Sequence, residues 1–164
     1  MKRADLIPQK ILTQEEAVRR VAQWRLLSKK IVFTNGVFDI LHQGHIFSLS
    51  QAAREGDMLI IGLNADASVK RLKGDSRPVN NQESRALVLA SLVMVDAVVL
   101  FEEDTPIELI KSLMPDVLVK GGDYTVEQIA GAKEVIANGG QVVINPILEG
   151  FSTTNIIQQI SNNK

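Results

Sequence analysis

The sequence holds two histidines, His42 and His45, three residues apart in "TNGVFDILHQGH". On a helix that spacing puts two side chains on one face, so both imidazoles can meet one ligand, and Gly44 leaves the backbone open to it. The pair reads either as hydrogen-bonded, partly buried residues or as two side chains turned to one ligand. Zinc is the weaker alternative, because two His and no Cys leave the usual three or four ligands incomplete unless carboxylates join them.

In open α/β sheets ligands sit beyond the carboxyl ends of the strands, so the residues that follow each apolar run form one set. They are Thr34, Asn35 and Gly36 with the histidine pair, then Asn64, then Lys120, Gly121, Gly122 and Asp123, and finally "EGFSTTN". Ser152, Thr153 and Thr154, just ahead of "NIIQQI", suit a helix N-cap. That cap is either ordinary or a phosphate seat, since free N–H groups and the positive end of the dipole favour an anion there. The glycines of "KGGD" serve a turn or a close ligand approach. The segment Lys70 to Gln82, "KRLKGDSRPVNNQ", is expected to be a mobile flap. Its Lys70, Arg71, Lys73 and Arg77 are either solvated or a phosphate clamp.

The elements that must position these residues are legible as patterns. Thr13, with Glu15 and Glu16 after it and apolar residues at three- and four-residue spacing, predicts a capped helix over about 14–27. Five apolar runs, "KIVFTNG", "DMLIIGLN", "DAVVLF", "DVLVKGG" and "GQVVIN", alternate with helical segments such as Ile46 to Arg54 and Ser84 to Leu92. Strands alternating with helices imply a parallel sheet covered on both faces. The expected fold is a doubly wound, Rossmann-like α/β domain of about five strands. One domain is expected over 1–164, with its core at about 29–160 and a polar tail, "QQISNNK", that frays.

Composition narrows the chemistry. The 164 residues are 45% hydrophobic, enough for a sizeable core, and 18 basic against 19 acidic residues leave a net charge of -1. That balance offers no sequence-independent grip on a nucleic-acid backbone. With no cysteine there is no disulfide, thiolate nucleophile or Cys-type metal site, which suits a reducing cytoplasm. The start, "MKRADLIPQKIL", lacks the apolar stretch of a signal peptide, so no export is expected. Ala86 to Phe101 is broken by Ser91 and Asp96 and falls short of the ~18 residues of a membrane span, so no membrane partner is expected.

"TNGVFDILHQGH" and "GFSTTNII" resemble the HxGH and ISTT-type signatures of the nucleotidyltransferase superfamily, in its cytidylyltransferase-like branch. The stretch from "GLNADASVKRLKGDSRPVNNQESR" to "EEDTP", together with "PDVLVKGGDY", is similar more narrowly to the adenylyltransferase domain of bifunctional ADP-heptose synthases. The similarity runs from about Lys29 to Ile160. Many relatives carry Cys where this chain has Val37, and a variable residue at Phe151. Glycerol-phosphate cytidylyltransferases have an Arg upstream of their STT motif, where this chain has Ile147 and Leu148, which weakens a CTP-dependent alternative acting on glycerol phosphate.

The resemblance implies transfer of AMP from ATP to D-glycero-β-D-manno-heptose 1-phosphate, with release of pyrophosphate, for lipopolysaccharide core or a related glycan. It implies Mg²⁺ on the triphosphate with no firm protein ligand, a homodimer, and a separate heptose kinase upstream. His42 and His45 would donate to the triphosphate, and Lys73 and Arg85 would pair with phosphates. The N–H groups of Gly36, Val37 and Phe38, with Ser152, Thr153 and Thr154, would hold the phosphates; Gly121, Gly122 and Asp123 would face the nucleoside beside Lys120. Asp39, Asn64 and Arg77 are the candidates for the sugar phosphate.

Overall fold

The apolar runs, rich in β-branched residues, build an all-parallel sheet in the computed structural model, which describes residues 4–162. Its strands are β1 (Ile11–Leu12), β2 (Ile31–Gly36), β3 (Met58–Asn64), β4 (Ala97–Phe101), β5 (Val117–Gly121) and β6 (Gln141–Asn145), in the order β1-β4-β3-β2-β5-β6. Five are the expected strands. The sixth, β1, is two residues long and pairs Ile11 with Val98 and Leu12 with Val99, too short to show a period of its own.

Strand side chains alternate between two faces. Ile31, Phe33, Ile60, Val99 and Leu118 point to one core, closed by α1 (Gln14–Leu26), α5 (Ile107–Leu113) and α6 (Ala132–Ala137). Val32, Leu59, Ile61, Leu63 and Val119 point to the other, closed by α2 (Gln43–Ala53) and α4 (Gln82–Ala90). At α1 the Thr13 hydroxyl accepts from the Glu16 N–H at 3.2 Å while the Glu16 carboxylate accepts from the Thr13 N–H at 2.8 Å, the reciprocal cap that the sequence predicts. No helix among the described residues is long and apolar enough to cross a membrane.

Two expectations need correcting. The flap begins as helix α3 (Asp66–Lys73), which carries Lys70, Arg71 and Lys73 and stops at Gly74 with φ +93°. Arg71 pairs with Asp104 at 2.8 Å and also donates to the Glu102 carbonyl, so it is tied to the loop after β4. The polar tail is helical as well: α7 (Thr153–Asn162) takes in Gln158 to Asn162, and the last two residues lie outside the described ones.

At the amino end of the sheet three aspartates each accept an N–H from the neighbouring strand. Asp57 takes that of Lys30 at 2.8 Å, Asp96 that of Leu59 at 2.7 Å and Asp116 that of Ile31 at 2.7 Å. Each occupies the position just before its own strand, where the ladder alone leaves donors unpaired. Asp116→Ala is expected to lower the unfolding free energy by about 1–3 kcal/mol, read as a shifted urea midpoint at constant slope. An unmoved midpoint would show that solvent serves the Ile31 N–H equally well.

Candidate active site

β2 and β5 are paired only at Val32 with Val117 and Phe33 with Leu118. Pairing on either side runs further, to Gly36 with Leu63 and to Gly121 with Asn145. The carboxyl halves of β2 and β5 therefore part, and a cavity of about 250 Å³ opens between them, reached by Thr34, Asn35, Lys120, Asn145 and the side chains of His45 and Ser48 from α2. A second cavity of about 260 Å³ adjoins it, walled by Gly44, Ile147, Leu148, Phe151, Ser152 and Thr153, and both histidines face it. His45, Ser48 and Ile147 belong to both linings.

His42 is the N-cap of α2 and His45 lies one turn in, so the rings stack with centroids 3.8 Å apart. His45 Nδ1 accepts from the His42 N–H at 3.4 Å, which in a neutral ring leaves the proton on Nε2. His42 Nδ1 is buried with no protein partner. Burial, with the neighbouring His42, pushes His45 down to about 4, and burial lowers His42 too. Both rings are neutral at pH 7. A Cβ on Gly44 would lie 3.0 Å from the His42 ring and 3.0 Å from Phe151 Cβ, so glycine lets the C-terminal segment close against α2.

Gly36 is needed for a different reason: a Cβ there would meet the Phe38 ring at 2.9 Å. Phe38 itself takes φ +46°, a region non-glycine residues rarely adopt, and its ring meets His45 edge-on at 5.4 Å. Ser152 accepts the Asn155 N–H at 3.2 Å as the cap of α7, and the Thr153 hydroxyl donates to the Ile40 carbonyl at 3.3 Å, joining that helix start to the loop of the histidines. Lys120 donates to Asn35 Oδ1 at 3.3 Å and lies 5.8 Å from the Tyr124 ring centre. Burial lowers its pKa, and no carboxylate lines its cavity.

Other expected site residues sit differently. Asp39 has a fully buried side chain that accepts from Arg77 Nε at 2.7 Å and from the N–H groups of Val79 and Asn80 at 2.9 Å, so Asp39 and Arg77 are bonded to each other rather than presented to a ligand. Asn64 is buried and donates to Ser68 at 3.0 Å. Arg85, expected to meet phosphate, is 2% exposed and donates to the Asn80 carbonyl, the Val37 carbonyl and Asp66 at 2.7–3.0 Å. It braces the loop rather than lining either cavity. Lys73, Gly122, Asp123 and Thr154 also lie outside both linings. Ser48, Tyr124, Asn145 and the apolar walls Ile147, Leu148 and Phe151 were not assigned site roles from the sequence. Ser48 sits one turn beyond His45, a signal that was available, whereas Tyr124 and Asn145 are brought in only by the fold.

The low His45 pKa sets the sign of one pH effect. Between the unfolded value near 6.5 and about 4, the unfolded chain binds protons that folded His45 refuses, so stability falls as pH drops through that window. Asp96, raised by burial, works in the opposite sense. Burial raises Asp39 too, but the N–H groups of Asn80 and Val79 and the Arg77 guanidinium hold it below its usual range, so it titrates under this window. Melting followed from pH 7 to 4.5 should show the loss, and His45→Gln should reduce it, the remainder belonging to His42, whose pKa burial also lowers. An equal slope in the variant would assign the effect to another group.

A family model described as Cytidylyltransferase-like matches residues 33–159. "Bifunctional protein HldE" of Shigella flexneri is 57% identical over 154 residues, 94% of this chain and 32% of that protein; the protein of the same name from Escherichia coli (strain K12 / DH10B) is 56% identical over the same lengths. The chain thus spans about a third of the length of these curated relatives. Among solved structures, a lipopolysaccharide core biosynthesis protein from Thermoplasma volcanium GSS1 is 29% identical with a TM-score of 0.59, covering 73% of this chain and 97% of that one. A pantoate-beta-alanine ligase from Francisella tularensis, at 16% identity and a TM-score of 0.60 over 93% of this chain and 76% of its own, shares the fold alone. The match over 33–159, which takes in every residue that lines the two cavities, shows that the chain belongs to the cytidylyltransferase-like family.

Proposed function

We propose that the chain transfers AMP from ATP to D-glycero-β-D-manno-heptose 1-phosphate, giving ADP-heptose and pyrophosphate. The observation that carries this reading is the stacked, neutral histidine pair, with an unpartnered buried nitrogen on His42, on the walls of two adjoining cavities at the carboxyl ends of parallel strands. The choice of adenine and heptose rests on the motif resemblance. The similarity to the proteins named HldE and to a lipopolysaccharide core biosynthesis protein supports it. By the same resemblance the chain works as a homodimer and takes an acceptor made by a heptose kinase activity.

A phosphate monoester has a second pKa of ~6 and is mostly dianionic at neutral pH, so its oxygen can attack the α-phosphorus with no protein base. The new P–O bond forms as the bond to the β-phosphate breaks, and the electron pair leaves with pyrophosphate. The protein's part is positioning and stabilisation of charge on the phosphoryl oxygens. The Nε2–H of His45 and the N–H groups of Gly36 to Phe38 serve the α-phosphate. His42, Ser152, Thr153 and the N-terminus of α7 hold the phosphates beyond it, with Lys73 approaching from the end of α3. Lys120, a half-buried cation with no carboxylate in its cavity lining, takes the phosphate of the acceptor or the α-phosphate that the acceptor attacks. Asp39, Arg77 and Arg85 act as positioning residues for the loop that supplies the N–H groups. Among the described residues no three His, Cys, Asp or Glu are grouped to hold a metal, so the donor set fits Mg²⁺ arriving on the triphosphate. Bound there, it would neutralise charge on the leaving pyrophosphate.

Pyrophosphate release should be measured with Mg²⁺, crossing ATP and CTP against heptose 1-phosphate and glycerol 3-phosphate. Turnover with ATP and the heptose phosphate alone is expected; turnover with CTP would move the chain to cytidylyl transfer, and silence in all four pairs would sink both. His45→Gln should cut turnover by ~10²-fold or more while keeping the folded circular-dichroism spectrum. Near-normal turnover in that variant would remove His45 from the chemistry.

A further inference from the structure

Asn145 ends β6, opposite Gly121 of β5, and is 9% exposed at the wall of the first cavity. Its side-chain Nδ2 is buried without a partner. The strand end does not need that amide, because the Asn145 carbonyl already accepts the Gly122 N–H at 3.1 Å. Paired residues on neighbouring strands point to the same face, and at Gly121 that face is bare. A Cβ there would lie 3.5 Å from the Ile147 Cγ2 methyl, 3.6 Å from Ser48 Oγ and 4.0 Å from the Asn145 carbonyl oxygen. The Ser48 hydroxyl belongs to both cavities and makes no hydrogen bond among the described residues. The Asn145 amide, from the residue that pairs with Gly121, and the Ser48 hydroxyl thus line one cavity from different elements, neither with a protein partner. Buried polar groups are nearly always bonded, so an orphan in a cavity wall points to a ligand atom.

We propose that Asn145 and Ser48 bind the ribose hydroxyls of the nucleotide. This rests on the nucleotide-transfer reading above. Ile147, Leu148 and Phe151 give the second cavity an apolar side that can seat a base beside the Ser152 and Thr153 hydroxyls that hold the outer phosphates, while His45 and the Gly36–Phe38 loop take the α-phosphate. The ribose joins base to α-phosphate and so falls at the wall the cavities share, which is where Ser48 lies. Lys120 leaves β5 on the opposite face from Gly121, and its ammonium is bonded to Asn35 Oδ1 at 3.3 Å on the phosphate side of the same cavity. An amide and a hydroxyl together offer donors and acceptors, the match for a neutral diol, whose hydroxyls do both.

Calorimetric titration of ATP, 2′-deoxyATP and 3′-deoxyATP with Mg²⁺ tests this on the wild-type chain and on Asn145→Leu. The wild type should bind ATP roughly 10-fold more tightly than at least one deoxy analogue. Asn145→Leu should bind ATP roughly 10-fold more weakly and lose the preference. Ser48→Ala reads the same contact from α2, should Asn145→Leu fold poorly, and is expected to narrow the preference. Equal affinity of the wild type for all three nucleotides would overturn the proposal. So would variants that keep the preference while only the KM for the sugar phosphate rises. Absence of ATP binding to the wild type would instead overturn adenylyl transfer, and the ribose contact would then stand or fall on the same comparison between CTP and 2′-deoxyCTP.

Discussion

The pairing of β2 with β5 is the contact on which the rest depends. Successive strands after β2 are added on one side, β3 and then β4, and the chain then crosses back to lay β5 and β6 on the other. A parallel sheet whose order reverses leaves a crevice at the reversal, because the connections leaving the two central strands go to opposite faces. Here the crevice is deepened by pairing that stops at Phe33 and Leu118 while the outer ladders continue. The ends of β2 and β5 and the start of α2 are thereby held on a rigid support with their polar groups turned toward open space.

That support permits an electrostatic arrangement that would be unfavourable elsewhere. The site presents neutral imidazoles, amides, hydroxyls and backbone N–H groups, with one half-buried ammonium and no carboxylate lining the first cavity. Such a surface takes polyanions without first having to release a bound counter-charge. The charged side chains nearest by sequence are turned away into a brace, where Asp39 binds Arg77 and Arg85 reaches Val37, Asn80 and Asp66. The brace holds Phe38 in its left-handed backbone conformation, a cost of order 1–3 kcal/mol that the surrounding bonds offset.

Much of this was legible in the residues. Five strands, the Thr13 cap and the histidine pair followed from patterns local to a few residues, and the family resemblance rested on motifs within such windows. What escaped was decided by distant contacts. β1 exists because β4 offers it a ladder, and Arg85 turns inward because Val37 and Asp66 meet there. An Arg on a helix facing the site reads as a phosphate ligand until its acceptors are known. Asn145 looked like the end of an ordinary strand, since only the register with Gly121 shows that its amide has nothing to bind. The flap was misjudged because its charges hid a helix whose apolar side, Val69, is fully buried.

The bond from Thr153 to the Ile40 carbonyl spans 113 residues of chain. A polypeptide emerging from the ribosome therefore makes the histidine loop early and must complete the rest of the sheet before Ser152 and Thr153 can reach it. Until then the cavity beside the histidines lacks the wall formed by Ile147 to Thr153, so the amino-terminal half alone cannot shape it. The second cavity is thus a late feature of folding, one that takes shape only once Ile40 and Thr153 have met.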